Sequence, residues 1–204
     1  GDRWGGRVAG VGVDTWGVDF GLLDAKDRLL GNPVHYRDRR TNGIFEKAFA
    51  KAPREEIFRQ TGLQFMQFNT LYQLLAMQLE SSPLLDIAQS LLMMPDLFHW
   101  LLTGEKCNEM TIASTTQFYN PATGDWATEL LGKFDLPSGI LGRIAQPGTV
   151  LGPLRPALIE ETGLSRAKVI LPGSHDTASA VAAVPAESKP GEAPDWCYIS
   201  LGTW

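Results

Sequence analysis

The string Ser174-His175-Asp176-Thr177 sets a carboxylate, an imidazole and two hydroxyls side by side. It follows the apolar run at residues 168–171 and the Pro172-Gly173 pair, and it precedes a small-residue stretch at 178–184, so a strand, a turn and a helix are predicted in that order. A strand-to-helix turn of this kind presents its side chains at the carboxyl edge of a sheet, where open α/β folds keep their sites. Asp176 at a helix N-terminus sits in a positive end-field, which favours a carboxylate facing a cleft. The same local sequence also allows Asp176 to do no more than cap the helix. His175 could orient a substrate hydroxyl or be purely structural; no second His lies close in sequence, so a metal pair is not expected.

A second segment, Gly12-Val13-Asp14-Thr15-Trp16-Gly17-Val18-Asp19, contains neither G-x-G-x-x-G nor a Walker sequence. Trp16 offers the apolar face found in sugar pockets and Gly17 lets a ligand approach the backbone, although a core Trp beside a strand bend is an equal reading. Gly202-Thr203 could hold an anion with backbone N–H groups and a hydroxyl, or form an ordinary turn. No G-x-S-x-G elbow is present, so a hydrolase built on Asp176 and His175 lacks its nucleophile.

The elements that must position these residues follow from pattern. Residues 8–13 and 18–23 read as strands with a turn at 24–27, and 29–30 and 33–36 continue as extended chain with Pro33 marking an edge. From Thr41 onward helical spacing takes over. Ile44, Phe45, Ala48 and Phe49 follow a Thr41-Asn42 cap, Ile57 and Phe58 lie before Thr61-Gly62, and Asn69 or Thr70 opens an amphipathic helix carrying Leu71, Leu74, Leu75, Met77 and Leu79. Pro95 starts a helix that Thr103-Gly104 ends. A Thr/Ser stretch occupies 111–116, a turn 120–125, and helices are predicted at 126–131 and 157–161. Residues 186–194 read as a polar connection and 196–201 as a strand.

Composition bounds the function. With 44% hydrophobic and 20% charged residues over 204 positions, the chain is globular in character and long enough to bury a core without staples. Its net charge of -5, from 18 basic and 23 acidic residues, argues against a nucleic-acid partner, and the one dense basic cluster, Arg37-Asp38-Arg39-Arg40, carries its own acid. Cys107 and Cys197 stand in neither a Cys-x-x-Cys nor a zinc spacing, which favours a reducing compartment. No apolar run of membrane-spanning length and no leader pattern is visible, so a cytoplasmic location is expected.

In order along the chain, Gly12-Val13-Asp14-Thr15-Trp16-Gly17-Val18-Asp19-Phe20, Tyr36-Arg37-Asp38-Arg39-Arg40-Thr41, Pro95-Asp96-Leu97 with Leu102-Thr103-Gly104, Thr111-Ile112-Ala113-Ser114-Thr115-Thr116, Pro147-Gly148-Thr149-Val150-Leu151-Gly152 and Ser174-His175-Asp176-Thr177-Ala178-Ser179-Ala180 resemble the FGGY family of carbohydrate kinases. The resemblance implies an α/β, ribonuclease H-like, actin-type fold of two domains, with a sugar and ATP with Mg²⁺ meeting in the cleft between them. It implies that residues 1–186 are the C-terminal part of the first, sugar-binding domain, and that 187–204 are the connection, first strand and phosphate turn of the second, ATP-binding domain. It further implies Asp176 as proton acceptor, His175 and Thr177 beside it in the sugar site, and Gly17 against the sugar, where a side chain would occupy the sugar's space. Trp16, Tyr36 and Phe68 would wall the pocket and Thr203 would touch ATP phosphates. The phosphate hairpin that leads family members is expected before residue 1 and most of the second domain after residue 204, so the chain is expected to be a fragment without activity of its own. Kinases of xylulose, fuculose or glycerol share the fold and the base, and a sugar-binding module without catalysis also fits the residues.

Overall fold

The computed structural model of the chain describes residues 7–186, 191, 193, 195–199 and 201. Among them the strands are β1 (Gly10–Val11), β2 (Phe20–Leu23), β3 (Ser90–Met93), β4 (Asn108–Glu109), β5 (Tyr119–Asn120), β6 (Asp125–Trp126), β7 (Ile144–Ala145), β8 (Val150–Pro153) and β9 (Lys168–Ile170). The α-helices are α1 (Ile44–Lys51), α2 (Arg54–Thr61), α3 (Thr70–Leu79), α4 (Pro83–Ile87), α5 (Met94–Thr103), α6 (Met110–Ala113), α7 (Thr128–Lys133), α8 (Pro156–Thr162) and α9 (Asp176–Ala182).

One pairing determines where the chemistry can sit. β1 runs parallel to β9, with Gly10 opposite Lys168 and Val11 opposite Val169, and β8 lies antiparallel on the other side of β9. Parallel strands end at the same edge, so the segments after β1 and after β9 leave the sheet together. Pairing then resumes: Thr15 N–H donates to Ser174 O at 3.0 Å, and Asp176 N–H donates to Thr15 O at 2.9 Å. Residues near the two ends of the described chain thus become neighbours through backbone bonds alone.

The main core lies between β2, β3 and the helices α1, α3 and α7. The pattern predicts an amphipathic α3, yet every residue from Thr70 to Met77 is buried, because its polar residues Thr70 and Gln73 hydrogen-bond to Val18 and Asp19 while helix α1 packs on Tyr72. Phe45 of α1 meets Tyr72 of α3 edge to face at 5.1 Å. The start of α1 also differs from expectation. Gly43, in the left-handed region at φ 69°, is its N-cap, and Thr41 closes a separate 3₁₀ turn, Arg39–Thr41, capped by Asp38.

Several strands are shorter or placed differently than their composition suggests. The strand expected at 8–13 is laddered only at Gly10–Val11, since Val13 N–H is taken by His99 Nε2 at 3.0 Å. Residues 33–36 join no ladder, and Leu29 makes a single bridge to Leu23. Trp126 belongs to the β5–β6 hairpin and not to a helix, because its indole N–H reaches Gly142 O at 2.7 Å and its ring packs on Phe118 at 5.5 Å. Residues 195–199 lie outside any ladder, and Ile199 and Leu201 are exposed. A strand needs a partner to satisfy its backbone, and none of the described strands reaches them.

Candidate active site

The three-residue turn at Gly17, Val18 and Asp19 is the site's most unusual piece of backbone. Asp19 N–H donates to Gly17 O at 3.0 Å, and Val18 between them has φ 70°, a left-handed value that a β-branched residue rarely adopts. Such a conformation costs of the order of 1–3 kcal/mol and persists only where neighbours hold it. Here Val18 N–H donates to Thr115 Oγ1 at 3.0 Å, and Val18 O accepts from Thr70 Oγ1 at 2.7 Å and Gln73 Nε2 at 3.1 Å.

The turn brings Asp19 under the aromatic residues. Its carboxylate, 1% exposed, accepts from Trp16 Nε1 at 2.8 Å, from the Tyr36 N–H at 3.1 Å and from Gln73 Nε2 at 3.2 Å. Trp16 and Tyr36 are therefore anchored to one buried group, and Gln73 is fixed in turn by Arg40. From Trp16 the rings continue through His35 to Tyr36 at 4.4 Å and on to Phe68 at 5.1 Å, forming one wall.

The opposite wall comes from the turn between β9 and α9. His175 is the N-cap position of α9 and Asp176 its first residue, so Asp176 sits in the helix's first turn, as its sequence position suggested. Asp176 Oδ1 accepts from Thr177 N–H at 2.6 Å and from Thr177 Oγ1 at 3.2 Å, and it lies 3.3 Å from His175 Nε2. Burial lowers the His175 pKa, against the opposing pull of Asp176 and Glu109, so the imidazole is held toward its neutral form. Among the described residues no donor meets Asp176 Oδ2, and the side chain is more than half exposed.

Between these walls lies a cavity of about 350 Å³, lined by Trp16, Gly17, Tyr36, Phe68, His175, Asp176 and Thr177 among others. Every residue singled out from the sequence for the sugar pocket thus borders one space, whereas Thr203 lies outside the described residues. The sequence reading missed Met66, Gln64 and Thr115, which also border it, and Asp19 and Glu109, which hold its walls from behind. Only the Asp in the Gly17-Val18-Asp19 string and the Glu before the Thr/Ser stretch could have signalled the latter two.

Gly17 is tightly packed as well as cavity-lining: a Cβ built there would stand 2.9 Å from Thr115 Cγ2, 3.0 Å from its Cβ and 3.1 Å from its Oγ1, and Thr115 borders the same cavity. Glycine is required because the chain passes close to the 3₁₀ turn Ser114–Thr116, and its backbone borders the cavity as a consequence. Among the described residues no group of three acidic, His or Cys side chains could hold a metal ion, and no helix is long and apolar enough to cross a membrane.

Residues 5–183 match the FGGY family of carbohydrate kinases, N-terminal domain. The chain is 45% identical over 194 residues to the rhamnulokinase of Oceanobacillus iheyensis, covering 95% of this chain and 40% of that protein. It is 43% identical over 203 residues to the rhamnulokinase of Halalkalibacterium halodurans, covering 97% and 42%. The chain therefore spans about 40% of the length of these relatives. Among solved structures it is similar to a gluconate kinase and a ligand-bound xylulose kinase from Lactobacillus acidophilus, with TM-scores of 0.77 and 0.76, 25% identity, and coverage of 84% of this chain and 35% of each of those.

Proposed function

The chain belongs to the FGGY family of carbohydrate kinases, and on that premise we propose that it forms the acceptor side of an ATP-dependent sugar kinase, with L-rhamnulose as the sugar and Asp176 as the general base. One observation carries the reading: Asp176 Oδ1 accepts from Thr177 and lies 3.3 Å from His175 Nε2, while Oδ2 has no donor among the described residues and the side chain opens onto a cavity walled by aromatic rings. Aromatic faces suit the C–H surface of a sugar, and a carboxylate oxygen with free lone pairs suits one of its hydroxyls. The choice of sugar rests on the 45% and 43% identical relatives, both rhamnulokinases.

An alcohol is a weak nucleophile at neutral pH, so the reaction needs a base within hydrogen-bond reach of the reacting hydroxyl. As that oxygen forms its bond to the γ-phosphorus of ATP, its proton passes to Asp176 Oδ2, and the bond from the γ-phosphorus to the leaving oxygen of ADP breaks. Thr177 steadies Oδ1 through this transfer, with His175 beside it, which keeps the basic oxygen aimed at the sugar. Mg²⁺, in such reactions, neutralises charge on the transferring phosphoryl group. Among the described residues no group of three acidic, His or Cys side chains would hold it; in the proposed reading these residues supply the sugar pocket and the base, and Thr203 meets the ATP phosphates.

The test is Asp176→Asn in the complete kinase carrying these 204 residues, assayed for ADP release with L-rhamnulose, D-xylulose and glycerol. Turnover of L-rhamnulose is expected to fall by about 10² to 10⁴, with sugar affinity largely kept, because the amide is nearly isosteric but accepts no proton. Turnover close to wild type would remove Asp176 from the role, and a preference for another acceptor would overturn the sugar.

A further inference from the structure

Glu109 stands at the end of β4 and is completely buried. Part of its bonding is ordinary helix capping: Oε1 accepts from Thr111 N–H at 2.9 Å and Oε2 from Ile112 N–H at 3.2 Å, at the start of α6. Two further bonds go beyond capping. Oε2 also accepts from the N–H of Ser174, 65 positions away in sequence, at 3.0 Å. It accepts as well from Thr111 Oγ1 at 2.5 Å, and that same hydroxyl oxygen accepts from the N–H of His175 at 3.2 Å.

A hydroxyl has one proton. With the Thr111 proton committed to Glu109, its lone pairs face His175, so the relay runs in one direction, from His175 N–H to Thr111 Oγ1 and from Thr111 O–H to Glu109 Oε2. The backbone amides of Ser174 and His175, which immediately precede Asp176, are therefore both fixed by one acceptor-only side chain, the first directly and the second through a hydroxyl. Glu109 is itself pinned, since its N–H donates to the buried Asp96 Oδ1 at 3.1 Å and β4 pairs with β7. We infer that Glu109, acting through Thr111, is a positioning residue for the turn that carries the base. It touches neither the cavity nor Asp176, and it sets where Oδ2 points by setting where the turn runs.

This inference rests on the reading of Asp176 as the general base. Displacing a reacting group by about 1 Å costs on the order of 10²-fold in rate. In the complete kinase, Thr111→Val removes the hydroxyl while keeping its volume, and Thr111→Ser restores it. Thr111→Val is expected to lower kcat by about 10- to 100-fold with KM for the sugar changed less than about threefold, and Thr111→Ser is expected to recover most of that kcat. Glu109→Gln, which turns an amide N–H₂ toward N–H and O–H donors, is expected to lose at least as much; if it fails to fold, the Val and Ser pair still decides. A Thr111→Val enzyme with kcat within about twofold of wild type, a rise in KM at unchanged kcat, or a Ser variant as impaired as the Val variant would each overturn the positioning role. Asp176→Asn measured alongside separates the two readings. If that variant keeps its turnover the base assignment fails, whereas if it loses turnover while Thr111→Val does not, only the positioning role fails.

Discussion

Gly17→Ala distinguishes a residue that makes room for sugar from one that makes room for protein. If the new methyl pointed into the cavity, the sugar KM would rise and folding would be untouched. The geometry gives the opposite expectation. The Cβ would stand 2.9 Å from Thr115 Cγ2, and Thr115 is not free to swing away, because its hydroxyl donates to Ile112 O at 2.7 Å while accepting from Val18 N–H at 3.0 Å. Overpacking of this kind costs about 1–3 kcal/mol. Against it stands a gain of roughly 0.4–1 kcal/mol, because Ala restricts the unfolded chain more than Gly. The net expectation is a loss of about 1–2 kcal/mol, read from the urea midpoint at constant m-value. Combining Gly17→Ala with Thr115→Ser removes the nearest contact, and the pair is expected to be less destabilised than the sum of the singles by at least about 0.5 kcal/mol. A Gly17→Ala chain as stable as wild type, or additivity in the double variant, would refute the argument.

Two further outcomes follow from buried groups. His99 is fully buried, with its Nε2 accepting from Val13 N–H, and burial lowers its pKa to about 4. The unfolded chain then binds the proton first, so stability is fully present above about pH 6.5 and is lost as pH falls toward 4, by roughly 3 kcal/mol from this group. His99→Gln, which keeps an acceptor for Val13, is expected to flatten that part of the stability–pH curve relative to wild type; a difference curve with no slope between pH 6.5 and 4 would contradict it. Asp96, whose pKa burial pushes well above the ordinary carboxylate range, acts in the opposite sense, so the comparison with the variant is the informative measurement. Tyr72 is buried, and among the described residues its hydroxyl has no hydrogen-bond partner, so Tyr72→Phe is expected to raise stability by about 1 kcal/mol, and a drop in the thermal midpoint would reveal a partner for that hydroxyl.

The sequence made the lining of the cavity legible because its residues cluster in short strings with local meaning. Strand, turn and helix around Asp176 were readable from apolar, Gly and small-residue order, and α5 was bounded by Pro95 and Gly104 as expected. What was not legible depends on partners distant in sequence. The strand β3 hides in an apolar run, Leu91-Leu92-Met93-Met94, whose periodicity fits strand and buried helix equally and which pairs only because β2 lies beside it. Asp19 looks like a loop acid until Trp16, Tyr36 and Gln73 converge on it. What a Cβ at Gly17 would meet is Thr115, which local pattern does not place there.

The parallel pairing of β1 with β9 also bears on the order in which the chain takes shape. Val11 leaves the ribosome well before Val169, its ladder partner. Contacts between sequence-distant strands form slowly, because closing a long loop costs entropy before any bond offsets it. Helices α1 and α3, by contrast, pack on each other and lie close in sequence. A growing chain that has not yet reached Lys168 can assemble the aromatic wall on Asp19, but it holds that wall with nothing facing it. The apolar surface of Val8 and Val11 stays open meanwhile, and that interval is when this segment is most exposed to wrong partners.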